Sequence, residues 1–236
     1  MSMQFFAGRG TNGERIFLPL AYRKKVKWLP QIGDIFPNFE ATTTEGRLNF
    51  FDWAEGHWSF IFSHPAAFTP VSTTEMVSLA DAKEDFTARN VKLLGFTQSA
   101  IEDQNRWHDE IFNIFGSSID FPTVDDRNQA LAQVFGMIHE KESTSWPIRK
   151  SFILDPQMKI RMIFEYPIYI GRSTDEMLRA IDALQAMDQL GVATPADWQL
   201  GDKYLCSEKH DALTEVEVYG DRLRRLTPYL ALIDPE

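Results

Sequence analysis

Apolar residues in this chain fall into two patterns, short continuous runs and longer stripes at helical spacing. Residues 58–64 are apolar on both sides, with Trp58, Phe60, Ile61 and Phe62, as a buried central strand requires. Residues 91–97, with Val91, Leu93, Leu94 and Phe96, predict a second strand of the same kind. Between them, residues 72–88 predict a helix whose apolar face is approximated by Met76, Leu79, Ala80 and Phe86, interrupted by Lys83. A further helix is expected over 101–115, with Ile101, Trp107, Ile111 and Phe115 as its apolar members. A short strand over 119–122 and a short helix over 128–135 follow. Residues 149–154 and 159–166 then read as a hairpin around Asp155 and Pro156, a turn whose proline presets the backbone. Met177, Leu178, Ile181, Leu184 and Met187 mark an amphipathic helix over 173–190, and Asp175 and Glu176 suit the dipole at its start.

Ahead of the first strand, residues 33–38 are turn-rich and residues 39–50 suggest a hairpin. Mixed strand–helix units closed by a hairpin and a helix indicate an α/β three-layer sandwich. The texture changes at Gly191, where a loop through Trp198 leads into a small β-containing tail. The expected organisation is an N-terminal arm over 1–29, a main domain over 30–190 and a C-terminal domain over 191–236.

At 236 residues and 44% hydrophobic composition, the chain is long and apolar enough for a sizeable core. Its net charge of −10 argues against nucleic-acid binding, which selects basic footprints. The charge is uneven. Residues 1–30 carry six basic residues against Glu14, a net of +5, so the remainder carries −15. A basic arm on an acidic body suggests docking on its own or a neighbouring subunit. A membrane-surface role for Arg23, Lys24, Lys25, Lys27 and Trp28 is the sharper alternative. No apolar run approaches membrane-spanning length, and the start lacks a long secretory stretch, so a cytoplasmic protein is expected, with an organelle transit role for the Arg-containing, acid-poor N-terminus as the alternative. Cys206 is the single cysteine, which excludes an intrachain disulfide.

The candidate chemistry lies between His64 and Glu75. Pro65, Thr69 and Ser72 stand at the spacing Pro-x-x-x-Thr-x-x-Cys, with Ser63 and His64 before the first and Thr73, Thr74 and Glu75 after the last. Asp125 to Asn128, Phe135 to Met137, Tyr166 with Pro167, Gly171 with Arg172, and Val192 to Trp198 follow in order. In these blocks, from about residue 30 to residue 228, the chain resembles one-cysteine peroxiredoxins. The resemblance implies a thioredoxin-like fold with a small C-terminal dimerisation domain. It also implies an antioxidant AhpC/TSA-like peroxidase: a thiolate at position 72 reduces a hydroperoxide, and an external thiol recycles the resulting sulfenic acid. By resemblance, Arg149 lowers the thiol pKa, Thr69 hydrogen-bonds the peroxide and Pro65 shields the nucleophile. Glu75 orients the arginines together with Arg172, and His64 lies beside the pocket. No cofactor is implied. His57, His108, His139 and His210 show no metal-ligand spacing, so no metal site is expected. A homodimer or higher homo-oligomer is.

Ser72 departs from this pattern. An alcohol is far less acidic than a thiol and is no two-electron reductant, so the chain as written should not reduce peroxide there. Cys206, in the tail, is a poor replacement. Ser72 and Glu75 have the spacing of a capping box, which would make serine structurally comfortable. A Cys-to-Ser substitution that freezes an oxidisable protein and a natural cysteine-less paralogue both fit. Retention of Pro65, Thr69, Glu75 and Arg149 leans toward the former, because a buried arginine without an anion is costly. The competing readings are a non-redox protein that binds a small ligand or a partner, and a cysteine-independent acid–base enzyme using Arg149, Thr69 and His64. Ser72 as an acyl-transfer nucleophile would need His64 as its base. The phospholipase pattern Gly-x-Ser-x-Gly of some one-cysteine peroxiredoxins is absent from residues 55–59.

Overall fold

A computed structural model describes residues 29–207 and 212–235 of the chain, together with strand backbone at 6–9 and 15–17. Strands β1 (Phe6–Arg9) and β2 (Arg15–Phe17) form an antiparallel pair. The rest of the arm predicted over 1–29, apart from Leu29, lies outside the described residues.

The main sheet grows outward from the two apolar runs. β5 (Trp58–Ser63) is buried at every position and pairs in parallel with β6 (Val91–Thr97). Next to β6 lies β7 (Thr123–Asp125), also parallel, and beyond it the hairpin of β3 (Glu40–Thr43) and β4 (Gly46–Asn49). On the other side β5 pairs antiparallel with β8 (Arg149–Leu154), which pairs with the edge strand β9 (Ile160–Tyr166). The seven-stranded order is β4-β3-β7-β6-β5-β8-β9.

Helices cover both faces, as strands apolar on both sides demand. One face carries α2 (Pro70–Asp81), α3 (Lys83–Ala88), α4 (Ile101–Phe115) and α6 (Thr174–Leu190), packed through Met76, Phe86, Trp107, Ile111 and Ile181 onto Phe60 and Phe62. The other buries Phe36, Phe50, Phe135 and Phe152 beneath α1 (Phe50–Ala54) and α5 (Ala130–Val134). This is the thioredoxin-like three-layer α/β sandwich. A second sheet, β10 (Val192–Ala193), β11 (Tyr204–Cys206), β13 (Leu230–Ile233) and β12 (Leu223–Thr227), carries α7 (Ala212–Tyr219). It shares a core of Trp198, Tyr204, Tyr219 and Ile233 with Ala186 of α6.

Several expectations need correcting. The helix expected over 72–88 starts two residues earlier and breaks at Ala82, whose φ of −89° and ψ of 9° leave the helical region. The break lets Asp81 accept from Ser117 Oγ (2.7 Å) and turns Lys83 out to pair with Asp120 (2.7 Å), which explains a lysine within the stripe. The strand expected over 119–122 forms at 123–125 instead. Phe121 is buried in the core, but the residues in register with Gly95–Thr97 are Thr123 to Asp125. The short helix expected over 128–135 shrinks to Ala130–Val134, because Gln129 is left-handed at φ 57°. Phe115 is exposed rather than inward, since α4 ends there at left-handed Gly116 (φ 77°). The helix expected over 173–190 begins at Thr174, with the Ser173 side chain accepting from Glu176 N (3.2 Å).

Gly95, at the centre of β6, is a close-approach position. A Cβ there would stand 2.7 Å from Thr123 Cγ2 and 3.2 Å from Phe62 Cζ. Gly95→Ala should therefore destabilise the fold by about 1–3 kcal/mol through overpacking, read as a lower urea midpoint. An unchanged midpoint would show that β6 and β7 can separate freely.

Candidate active site

The site forms where β5 ends. His64 and Pro65, both buried, leave the strand, and the chain turns through residues 66–69 into α2. Pro70 occupies the first helical turn, where its missing N–H matters least. Phe68 adopts a left-handed φ of 58°, strained for an aromatic residue. Its ring lies 6.4 Å from that of Trp107 and 5.1 Å from the Arg106 guanidinium. The first turn of α2 is tied down from α4: Trp107 Nε1 donates to Thr73 Oγ1 (3.1 Å), and Thr73 Oγ1 to the Thr69 carbonyl (3.0 Å).

This start overturns the capping box. The N-cap is Thr69, in extended conformation, and Ser72 lies inside the first turn. Glu75 does not reach back to the backbone at Ser72, because two arginines claim both of its oxygens. Arg149 Nη1 donates to Glu75 Oε2 (2.6 Å), and Arg172 binds both oxygens through Nε and Nη2 at 2.9 Å each. The Arg172 backbone N–H adds a further bond to Oε1 (2.9 Å). Arg172 Nη1 donates to Ser151 Oγ (2.8 Å), and its guanidinium lies 5.3 Å from the Phe62 ring centroid.

Ser72 is fully buried. Its Oγ accepts from Arg149 Nη1 (3.2 Å) and lies 2.7 Å from Thr69 Oγ1. Thr69 Oγ1 is also 2.8 Å from the Ala66 carbonyl. One hydroxyl proton serves one acceptor at a time, so Thr69 can switch between them. Thr69 is partly exposed, whereas Ser72 is buried. The Arg149 guanidinium is held from behind by Nε donating to the Ile168 carbonyl (2.7 Å).

The electrostatics follow from burial. Removing Glu75 from water favours its neutral form, yet the attraction and hydrogen bonds of Arg172 and Arg149 outweigh this and hold its pKa below the ordinary value. Burial lowers the Arg149 pKa, opposed by Glu75. Two buried guanidinium groups share one carboxylate, so the cluster carries a net +1 facing Ser72 Oγ.

His64 is buried, and neither ring nitrogen has a hydrogen-bond partner among the described residues. Its ring is 5.5 Å from that of Trp107. Burial, then Arg172, Arg149 and His108, push its pKa well down, so it is neutral. No bond joins it to Ser72, whose partners are Thr69 and Arg149, and the acyl-transfer pairing therefore lacks its base. Cys206, in β11, belongs to the second sheet, and burial raises its thiol pKa. No group of three or more metal-ligating side chains occurs among the described residues.

Residue 72 is thus buried in the first turn of a helix, against an arginine braced by a carboxylate. Residues 32–163 match the AhpC/TSA family, and residues 183–217 match the C-terminal domain of 1-Cys peroxiredoxin. The chain belongs to the peroxiredoxin family. A peroxiredoxin of Aquifex aeolicus is 44% identical over 170 residues, covering 72% of this chain and 77% of the relative. The structure of a yeast mitochondrial 1-Cys peroxiredoxin, studied for thiol resolution through glutathione and thioredoxin systems, superposes with a TM-score of 0.83. Its identity is 36%, and the match covers 88% of this chain and all of the other. A cysteine-to-serine mutant of peroxiredoxin 6 from Arenicola marina also superposes at TM-score 0.83, with 34% identity over 88% of this chain and 99% of that one.

All seven residues singled out from the sequence lie in this region of the peroxiredoxin fold. Ser72, Thr69, Glu75, Arg149 and Arg172 form one hydrogen-bonded cluster, while Pro65 and His64 border it without a bond to Ser72. Sequence reasoning missed the tie from Thr73 to Trp107 and the carbonyl of Ile168. Trp107 had read only as a core residue, and a backbone carbonyl leaves no mark in a sequence.

Two expectations follow. Glu75→Gln leaves two buried guanidinium groups uncompensated and should lower unfolding free energy by about 3–5 kcal/mol; an unchanged urea midpoint would show that the cluster does not depend on the carboxylate. Acid should also weaken the fold before carboxylates titrate. His64 lies well below 6.5 in the folded protein, and burial brings His108 to about 4. Unfolding lets both take up protons, so their contribution is complete above about pH 6.5 and is lost as pH falls toward 4. Urea midpoints should decline across that window, and less steeply in His64→Phe. A flat profile would mean that His64 is not held neutral.

Proposed function

We propose that this peroxiredoxin scaffold is built for one-cysteine hydroperoxide reduction at position 72, and that with serine there it is inactive. The observation that carries the reading is the unmatched positive charge. Arg149 Nη1 faces both Glu75 and Ser72 Oγ inside a buried cluster of net +1. An anion at residue 72, on the first turn of a twelve-residue helix, would neutralise that charge and gain from the helix dipole. A thiolate supplies such an anion and a serine hydroxyl does not. This favours a Cys-to-Ser substitution over a natural cysteine-less protein, and the cysteine-to-serine mutant among the solved relatives offers a precedent.

With sulfur at residue 72, the thiolate attacks one peroxide oxygen. An S–O bond forms as the O–O bond breaks, and two electrons pass from sulfur to the peroxide. The departing oxygen takes a proton and leaves as alcohol or water, with sulfenic acid remaining. Thr69, freed from the Ala66 carbonyl, donates to the peroxide, and Arg149 stabilises charge along the breaking bond. Pro65 shields the nucleophile, Glu75 and Arg172 hold Arg149 in place, and neutral His64 walls the pocket. An external thiol then condenses with the sulfenic acid, releasing water, and a second thiol resolves the mixed disulfide. The yeast relative's glutathione and thioredoxin systems indicate the chemical class of reductant.

We read the chain as an arm over 1–29, a peroxiredoxin domain over 30–190 and a dimerisation domain over 191–236, assembling as a homodimer. No helix among the described residues is long and apolar enough to cross a membrane. A cytoplasmic setting suits thiol chemistry, as does the mitochondrial setting of the yeast relative. The second reading, a non-redox pocket for a small anionic ligand, draws on the same unmatched charge.

Ser72→Cys separates the two. With hydrogen peroxide and dithiothreitol it should gain turnover and sulfenate that the unaltered protein lacks, and its thiol should titrate below about 8.5. No gain in Ser72→Cys, or turnover in the unaltered protein that Ser72→Ala abolishes, would overturn the redox reading.

A further inference from the structure

One side of Arg149 is held by a segment that neither the sheet nor a helix secures. β8 and β9 pair as far as Arg149 opposite Tyr166, and beyond that pair the chain leaves the ladder. Ile168 lies in this departing turn, yet its carbonyl is the acceptor that anchors Arg149 Nε at 2.7 Å. An anchor fixes a guanidinium only as well as it is fixed itself.

Ile168 is buried, and its backbone N–H donates to Glu142 Oε1 at 3.0 Å. Glu142 comes from a separate turn, folded by the N–H groups of Glu142 and Ser143 on the His139 carbonyl (2.9 Å each). Glu142 is itself exposed, and its carboxylate accepts from a backbone donor, with no ion pair to it among the described residues. Ile168 is therefore gripped on its N–H by Glu142 and on its C=O by Arg149. The connected path runs from Glu142 through Ile168 and Arg149 to Ser72 Oγ.

The geometry points to Glu142 as a positioning residue: by holding Ile168, it keeps the Arg149 guanidinium aimed at residue 72. This rests on position 72 being the peroxidatic position. Glu142 touches neither the reacting atoms nor the Glu75 cluster, so its effect passes through Ile168. The groups that set the pKa of a thiol at residue 72 are Arg149, with Glu75 and Arg172 behind it, Thr69, neutral His64 and the first turn of α2. None of them changes when Glu142 is substituted, so a rise in thiol pKa reports how Arg149 is placed.

The test uses the full chain carrying Ser72→Cys as parent. Thiolate absorbance against pH and the second-order rate with hydrogen peroxide are measured for the parent, Glu142→Ala and Glu142→Gln. Glu142→Ala should raise the thiol pKa by about half a unit or more and slow the peroxide reaction by about tenfold. Glu142→Gln, whose amide oxygen still accepts the Ile168 N–H, should stay within about twofold of the parent. Loss of a nearby negative charge alone would lower the thiol pKa, so the sign separates positioning from simple electrostatics. An unchanged or lowered pKa in Glu142→Ala overturns the inference, as does a Glu142→Gln variant as impaired as Glu142→Ala. A parent that lacks both an acidic thiol and a peroxide reaction overturns the functional reading instead. Amide hydrogen exchange at Ile168 in the unaltered Ser72 protein then decides the positioning claim by itself. Faster exchange in Glu142→Ala than in Glu142→Gln supports it, and equal exchange refutes it.

Discussion

The buried Glu75 carboxylate, shared between Arg149 and Arg172, is the interaction on which the rest of the site depends. It joins three parts of the chain distant in sequence: the helix α2, the start of the strand β8 and the turn leading to α6. A buried carboxylate or guanidinium alone is strongly disfavoured, so each group is stable there only because the others are. The arrangement leaves one positive charge over, directed at residue 72. Charge balance links the packing to the chemistry.

Around that charge the packing is mostly apolar. Phe62 and Trp107 flank His64, whose ring has no hydrogen-bond partner among the described residues and is kept neutral by burial and by the two arginines. A low local dielectric strengthens the interaction of Arg149 with whatever occupies residue 72. Strain at Phe68 marks the turn that delivers Thr69 and the first turn of α2 to this point. Serine is tolerated there for a different reason than helix capping. Its hydroxyl accepts from Arg149 and lies within hydrogen-bond distance of Thr69, so the buried oxygen is satisfied although the charge is not. A serine at residue 72 is therefore compatible with the packing around it.

Much of the architecture was legible because local patterns carry it. Runs apolar on both sides located β5 and β6, since a central parallel strand has no solvent face. Helical spacing of Met177, Ile181 and Leu184 located α6. The errors fell where tertiary contacts override local pattern. Residue 119–122 composition suggested a strand, but the register with β6 selected 123–125. The long helix expected after Thr69 breaks at Ala82, where Asp81 and Lys83 turn to partners near residue 120. The capping-box spacing of Ser72 and Glu75 was real, yet two arginines outcompete a backbone N–H for a buried carboxylate, because an ionic hydrogen bond is the stronger of the two.

By itself the sequence determined the α/β layering, the position of the motif and the serine at residue 72, because each is a matter of residue type and short-range spacing. Only the tertiary structure decided which charges meet. Glu75 lies 74 residues from Arg149 and 97 from Arg172, and no periodicity spans such distances. The same holds for the Ile168 carbonyl that anchors Arg149 and for the Glu142 carboxylate that holds Ile168. A backbone group is present at every position, and only folding selects the one that faces a guanidinium.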